Sequence, residues 1–122
     1  MALLVDYVLD GALAKAQEAT RLDICTQEPA TYTEATSTYS KGNKTSVSVG
    51  AIGDRTPNGR KVTVPAVTNG SVTGNGTASH WSLTDPANSR LIAANSLAAS
   101  QVVTSGNTFS STAFDIGIPD AA

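Results

Sequence analysis

The chain has 122 residues, 40% of them hydrophobic and only 15% charged, with a net charge of −2. That is one domain's worth of chain with ample apolar material for a core, and the acidic balance excludes electrostatic capture of a nucleic-acid backbone. A single cysteine, Cys25, excludes an intramolecular disulfide and is expected as a small buried hydrophobe.

The first stretch, Met1-Ala-Leu-Leu-Val-Asp-Tyr-Val-Leu-Asp10, has no basic start, and Asp6 interrupts its apolar run. It reads neither as a signal peptide nor as a membrane span, so a cytoplasmically made, unprocessed protein is expected. From Ala2 to about Thr20 the spacing predicts a helix. Leu3, Leu4, Tyr7, Val8, Gly11 and Ala12 follow i, i+3, i+4 spacing, and Val5 and Leu9 widen the apolar girth. So wide a stripe at a terminus suggests that part of the helix packs on a neighbouring subunit; the alternative is a helix lying across its own sheet. Asp6 and Asp10 are one turn apart and read as a solvated face.

Beyond Arg21 the period changes to two. Leu22 and Ile24 alternate with Arg21, Asp23 and Cys25, which predicts a strand. Gln27 to Gly42 reads as a long polar surface loop, a feature that is often functional. Its Tyr32 and Tyr39 either anchor a partner or pin the loop to the sheet. Strands are expected at Thr45–Ala51, Arg60–Thr68, Ser71–Thr73, Thr77–Thr84, Ser89–Ala94 and Gln101–Thr104, with the last ones around Phe109 and Phe114–Ile118. Asn58-Gly59, Asn69-Gly70 and Asn75-Gly76 read as tight turns between antiparallel strands. Pro65 cannot donate to a ladder, so its strand is expected to be an edge or bulged.

The pattern predicts a mainly β fold: an antiparallel β-sandwich, jelly-roll-like or Ig-like, over residues 21–122, with one N-terminal α-helix over 1–20. The expected core is Leu22, Ile24, Val47, Val49, Val62, Val64, Trp81, Leu83, Leu91, Phe114 and Ile116.

No motif for chemistry stands out. The one histidine, His80, has many serines near it, but no Gly-x-Ser-x-Gly elbow is present. One His and one Cys do not make a zinc site, and the glycines at 70, 74 and 76 lack the Lys-Ser/Thr of a phosphate loop. Asn43, Asn69 and Asn75 match the glycosylation pattern but are read as turn residues. No catalytic residue, cofactor or metal is expected.

Six segments carry a resemblance. They are Arg-Leu-Asp-Ile-Cys-Thr-Gln-Glu-Pro (21–29), Tyr-Thr-Glu-Ala-Thr (32–36), Pro-Asn-Gly-Arg-Lys-Val-Thr-Val (57–64), Thr-Ala-Ser-His-Trp-Ser-Leu-Thr-Asp (77–85), Ser-Arg-Leu-Ile-Ala-Ala (89–94) and Ser-Gly-Asn-Thr-Phe (105–109). From Leu22 to Asp120 the chain resembles small virion proteins of tailed bacteriophages, tail-fibre-like and head-decorating β-sandwiches. The resemblance implies a virion structural protein and supplies no catalytic residues. The first expectation is a capsid decoration, or cement, protein that contacts the phage major capsid protein or other virion subunits, forms homo-oligomers and binds neither nucleic acid nor membrane. Its contact residues are expected at Leu3, Leu4, Tyr7, Val8, Tyr32 and Tyr39. A tail, neck or baseplate component is the second expectation. A host carbohydrate-binding module is the third, with only Trp81 and three tyrosines able to stack on a sugar.

Overall fold

The computed structural model describes residues 5–119. Helix α1 (Asp6–Ala16) opens the described chain, followed by β1 (Arg21–Cys25), a π-helical turn at Glu34–Thr38, and β2 (Ser40–Lys44). Next come β3 (Gly53–Asp54), β4 (Arg60–Val64), β5 (Val67–Val72) and β6 (Gly76–Asp85). After a 3-10 turn at Pro86–Asn88, β7 (Arg90–Val103), β8 (Thr108–Ser111) and β9 (Phe114–Ile118) complete the fold. All pairings are antiparallel: a six-stranded sheet in the order β7-β6-β1-β2-β5-β8 and a three-stranded sheet in the order β3-β4-β9. The mainly β, sandwich-like architecture with an N-terminal helix matches the reading from period-two spacing.

The core lies between the sheets and under the helix. Leu22 and Leu83 from the larger sheet meet Val64 from the smaller one, with Ala19, Val47 and Val67 beside them. Leu13 and Ala16 of α1 seat on Val62 of β4. A third cluster, Ile24, Val72 and Ala78, fills the curl of the larger sheet. Trp81, Leu91, Phe114, Ile116 and Val49 were expected in this core but are only half-buried.

Pro65 acts at a sheet switch. β4 ends at Val64 in the small sheet and β5 begins at Val67 in the large one. A residue with no N–H to donate stands where the chain leaves one ladder for another, so β4 is the centre of its sheet rather than an edge.

Other expectations are corrected. Thr45–Ala51 is not a strand. Its alternation is genuine, with Val47 buried between exposed Ser46 and Ser48, but Ser46 sits at φ 58° and breaks the extended run. β2 falls at the end of the stretch expected to be loop; Ser-Lys-Gly-Asn-Lys has no apolar alternation, and pairing with β1 and β5 holds it. Two of the Asn-Gly pairs do not make hairpins. Asn69, at φ 56°, lies in a bulge within β5, and Gly70 is packed so tightly that a Cβ there would sit 2.4 Å from the Phe109 ring. Asn75-Gly76 lies in a crossover to β6, where the Asn75 Oδ1 accepts from the Ser105 N–H at 2.8 Å. Asn58-Gly59 does belong to a hairpin, between β3 and β4, with Gly59 at φ 94°.

β1 is covered on both faces. Leu22 and Ile24 point to the core, while Asp23 and Cys25 point outward and are still fully buried. The segment from Thr26 to Tyr39 provides the cover, with Ala35 fully buried against this outer face. Arg21 grips Asp23 through two hydrogen bonds (2.7 and 2.9 Å), Ser40 donates to the same carboxylate at 2.6 Å, and Arg21 also reaches the Thr36 carbonyl. The buried charge is therefore paired and hydrogen-bonded, as burial requires.

Candidate interaction surfaces

Helix α1 has two different faces. Leu9, Leu13 and Ala16, at i, i+4, i+7 spacing, are buried on the sheet. The Asp10 carboxylate receives two hydrogen bonds from Arg60 of β4 (2.7 and 3.3 Å), so Asp10 is a tether to the sheet and not half of a solvated acidic face. Asp6 stays exposed. Tyr7 stands about 200° around the helix from Leu9 and is 86% exposed. Val5 and Val8 are about half exposed. Gly11, Ala12 and Ala14 are exposed and small, so the Tyr7 ring stands above the surface around it. Of the contact residues expected from sequence, Tyr7 and Val8 are thus open to a partner, whereas Leu3 and Leu4 lie outside the described residues.

Tyr32 and Tyr39 are both half-buried. Tyr39 donates its hydroxyl to Glu34 at 3.3 Å, and the Tyr39 carbonyl accepts from the N–H of Thr26, the residue after β1, so it pins the covering segment to itself. The structure joins these tyrosines to the outer cover of β1, away from the Leu9–Leu13 seat of the helix.

β7 is an outer strand of the large sheet and has no charged residue after Arg90. Long edges are usually guarded by charge or by irregularity. Here the guard is irregularity. Ser96 pairs with His80 and Gln101 with Ala78, so Leu97–Ser100 bulges out opposite Ser79 alone. The sequence signal for two short strands around 95–100 was this bulge.

The bulge builds one wall of a cleft of about 330 Å³. Asn95, Ser96 and Leu97 stand on that side, and the lining is completed by Ser111 of β8, Thr112 of the link into β9 and Asp115 of β9. Leu22, Ile24 and Trp81 form the floor with Phe114. The Trp81 and Phe114 ring centres are 4.5 Å apart at 44°, a tilted aromatic pair. The cleft therefore occupies the seam between the two outer strands of the curled sheet, β7 and β8. Sequence reasoning missed it because its walls come from residues more than ten positions apart, joined only by sheet order.

Residues with chemical potential have structural employment. Ser79 donates its hydroxyl to the Thr26 carbonyl at 2.8 Å and meets His80 Nδ1 at 2.8 Å. With its proton committed to a carbonyl, the Ser79 oxygen accepts from Nδ1–H and is not activated as a nucleophile. Burial pushes the Cys25 thiol up to about 11, and its sulfur lies 3.6 Å from the Ala35 carbonyl and 3.7 Å from Ser82 Oγ. A raised pKa and full burial describe an inert thiol. Among the described residues no group of three or more His, Cys, Asp or Glu could hold a metal, and no helix is long and apolar enough to cross a membrane. Comparison with protein-family models, with curated proteins and with solved structures finds no match to this chain.

Proposed function

We propose that this protein is a bacteriophage virion subunit, a decoration or cement protein that attaches to the head shell in many copies. The observation that carries the reading is the division of α1: its inner face is used up on the protein's own sheet, while Tyr7 and Val8 remain exposed on the outer face. An aromatic ring held on a rigid helix offers large contact area at low entropic cost. The low surface charge and the outer strand β7, uncharged after Arg90, suit broad neutral contacts with other subunits, and repetition over a shell multiplies weak contacts into firm attachment. The sequence resemblance to phage head-decorating proteins points the same way.

The test is quantitative mass spectrometry and cryo-electron microscopy of purified phage particles. The expected result is this chain on the outer shell at a copy number comparable with the major capsid protein, with α1 facing a neighbouring subunit. A few copies confined to the tail or neck would move it to that class of component. Absence from the particle would overturn the reading.

A further inference from the structure

The seam cleft has a composition that the assembly reading does not use. Its floor is aromatic and aliphatic, yet its walls carry amide and hydroxyl groups: Asn95, Ser96, Ser111 and Thr112. Its only charged lining residue, Asp115, is already neutralised, with Lys61 Nζ at 3.1 Å from one carboxylate oxygen and Thr63 donating to the other at 2.7 Å. Such a site offers nothing to a phosphate and little to a free cation. The Ser111 hydroxyl is buried without any hydrogen-bond partner, an arrangement that costs about 1–3 kcal/mol. Sites that bind small molecules combine apolar walls with a few placed polar groups, and run from about 300 Å³ upward.

A saccharide ring has the matching chemistry. Its C–H face is apolar and suits the Trp81–Phe114 floor; its hydroxyls both donate and accept, and suit amide and hydroxyl groups around the rim. We infer that the cleft between β7 and β8 binds a neutral saccharide unit, of the kind displayed on a cell-surface glycan, with Trp81 and Phe114 beneath the ring and Asn95, Ser96 and Thr112 around it. This assignment is independent of the helix face, so either can fail alone.

Trp81 is the chain's only tryptophan, so its emission reports on the cleft directly. The experiment titrates the full chain with glucose, galactose, mannose, N-acetylglucosamine and their linear oligomers, following tryptophan emission and amide chemical shifts. The expected result is a saturable change for at least one of them, with shifts at residues 95–98 and 111–115. Asn95 and Ser96 are exposed, so N95A and S96A should melt as the parent does and bind about tenfold more weakly, the fold-change for one lost hydrogen bond at the upper end of its usual worth. Silence across the panel overturns the assignment, as does binding that N95A and S96A leave unchanged, or a response confined to apolar peptides.

Discussion

Two substitutions on the same helix separate what holds this fold together from what it offers to others. Leu13 is 2% exposed and seats on Val62, with Ile52, Ile92, Ile116 and Ile118 around the contact. Leu→Ala at a buried site costs about 2–5 kcal/mol. These neighbours are themselves only partly buried, so they can close on the gap, and the lower half of the range, about 2–3.5 kcal/mol, is expected. Unfolding entropy of about 2.1 cal/mol/K per residue over 122 residues gives about 0.26 kcal/mol/K. L13A should therefore lower Tm by about 8–14 °C. Tyr7, by contrast, is 86% exposed; Y7S removes little buried area and should change stability by less than about 0.5 kcal/mol, or about 2 °C. Thermal melts followed by circular dichroism decide the matter, and attachment to particles is then measured for Y7S alone. A melt for Y7S as low as that of L13A would refute the two-faced reading of the helix. So would an L13A protein that melts like its parent.

Three further outcomes follow from the same geometry. G70A forces a Cβ to within 2.4 Å of the Phe109 ring and should cost about 1–3 kcal/mol; in a melt, the added F109A change should relieve part of that loss, and strict additivity would count against the contact. D23A strands the Arg21 guanidinium beside the covered face of β1 and leaves Ser40 without its acceptor, so a loss of about 3–5 kcal/mol is expected in urea unfolding; a neutral result would show that the cluster is not load-sharing. Cys25 should resist thiol reagents in the native protein at neutral pH and react at once in urea. Because its folded pKa, about 11, lies above the ordinary value of 9.0, the unfolded chain loses its proton first as pH rises. Stability is then unaffected by this group below about pH 9 and falls between there and about pH 11; C25S should remove that part of the pH dependence, and an unchanged profile would sink the assignment.

Period-two spacing alone determined much of this protein. Leu22 with Ile24, Val62 with Val64, and the run through Leu83 each put one row of side chains inward, because successive residues of a strand face opposite ways. The helical segment was equally legible from its spacing. Sequence spacing did not determine which helical stripe would be buried, since apolar residues lay almost all around the helix; the seat on Val62 and the Asp10–Arg60 tether chose Leu9, Leu13 and Ala16. Nor did local turn chemistry determine connectivity. Asn69-Gly70 has the makings of a hairpin, yet the ring of Phe109, nearly forty residues away, turned it into a bulge inside a strand. β2 was illegible because its stability comes from ladders on both sides and not from its own side chains. The cleft was decided at the last level of all: Trp81 became half-exposed only because the large sheet curls without β7 and β8 pairing, and strand order is a property of the whole chain that no local window contains.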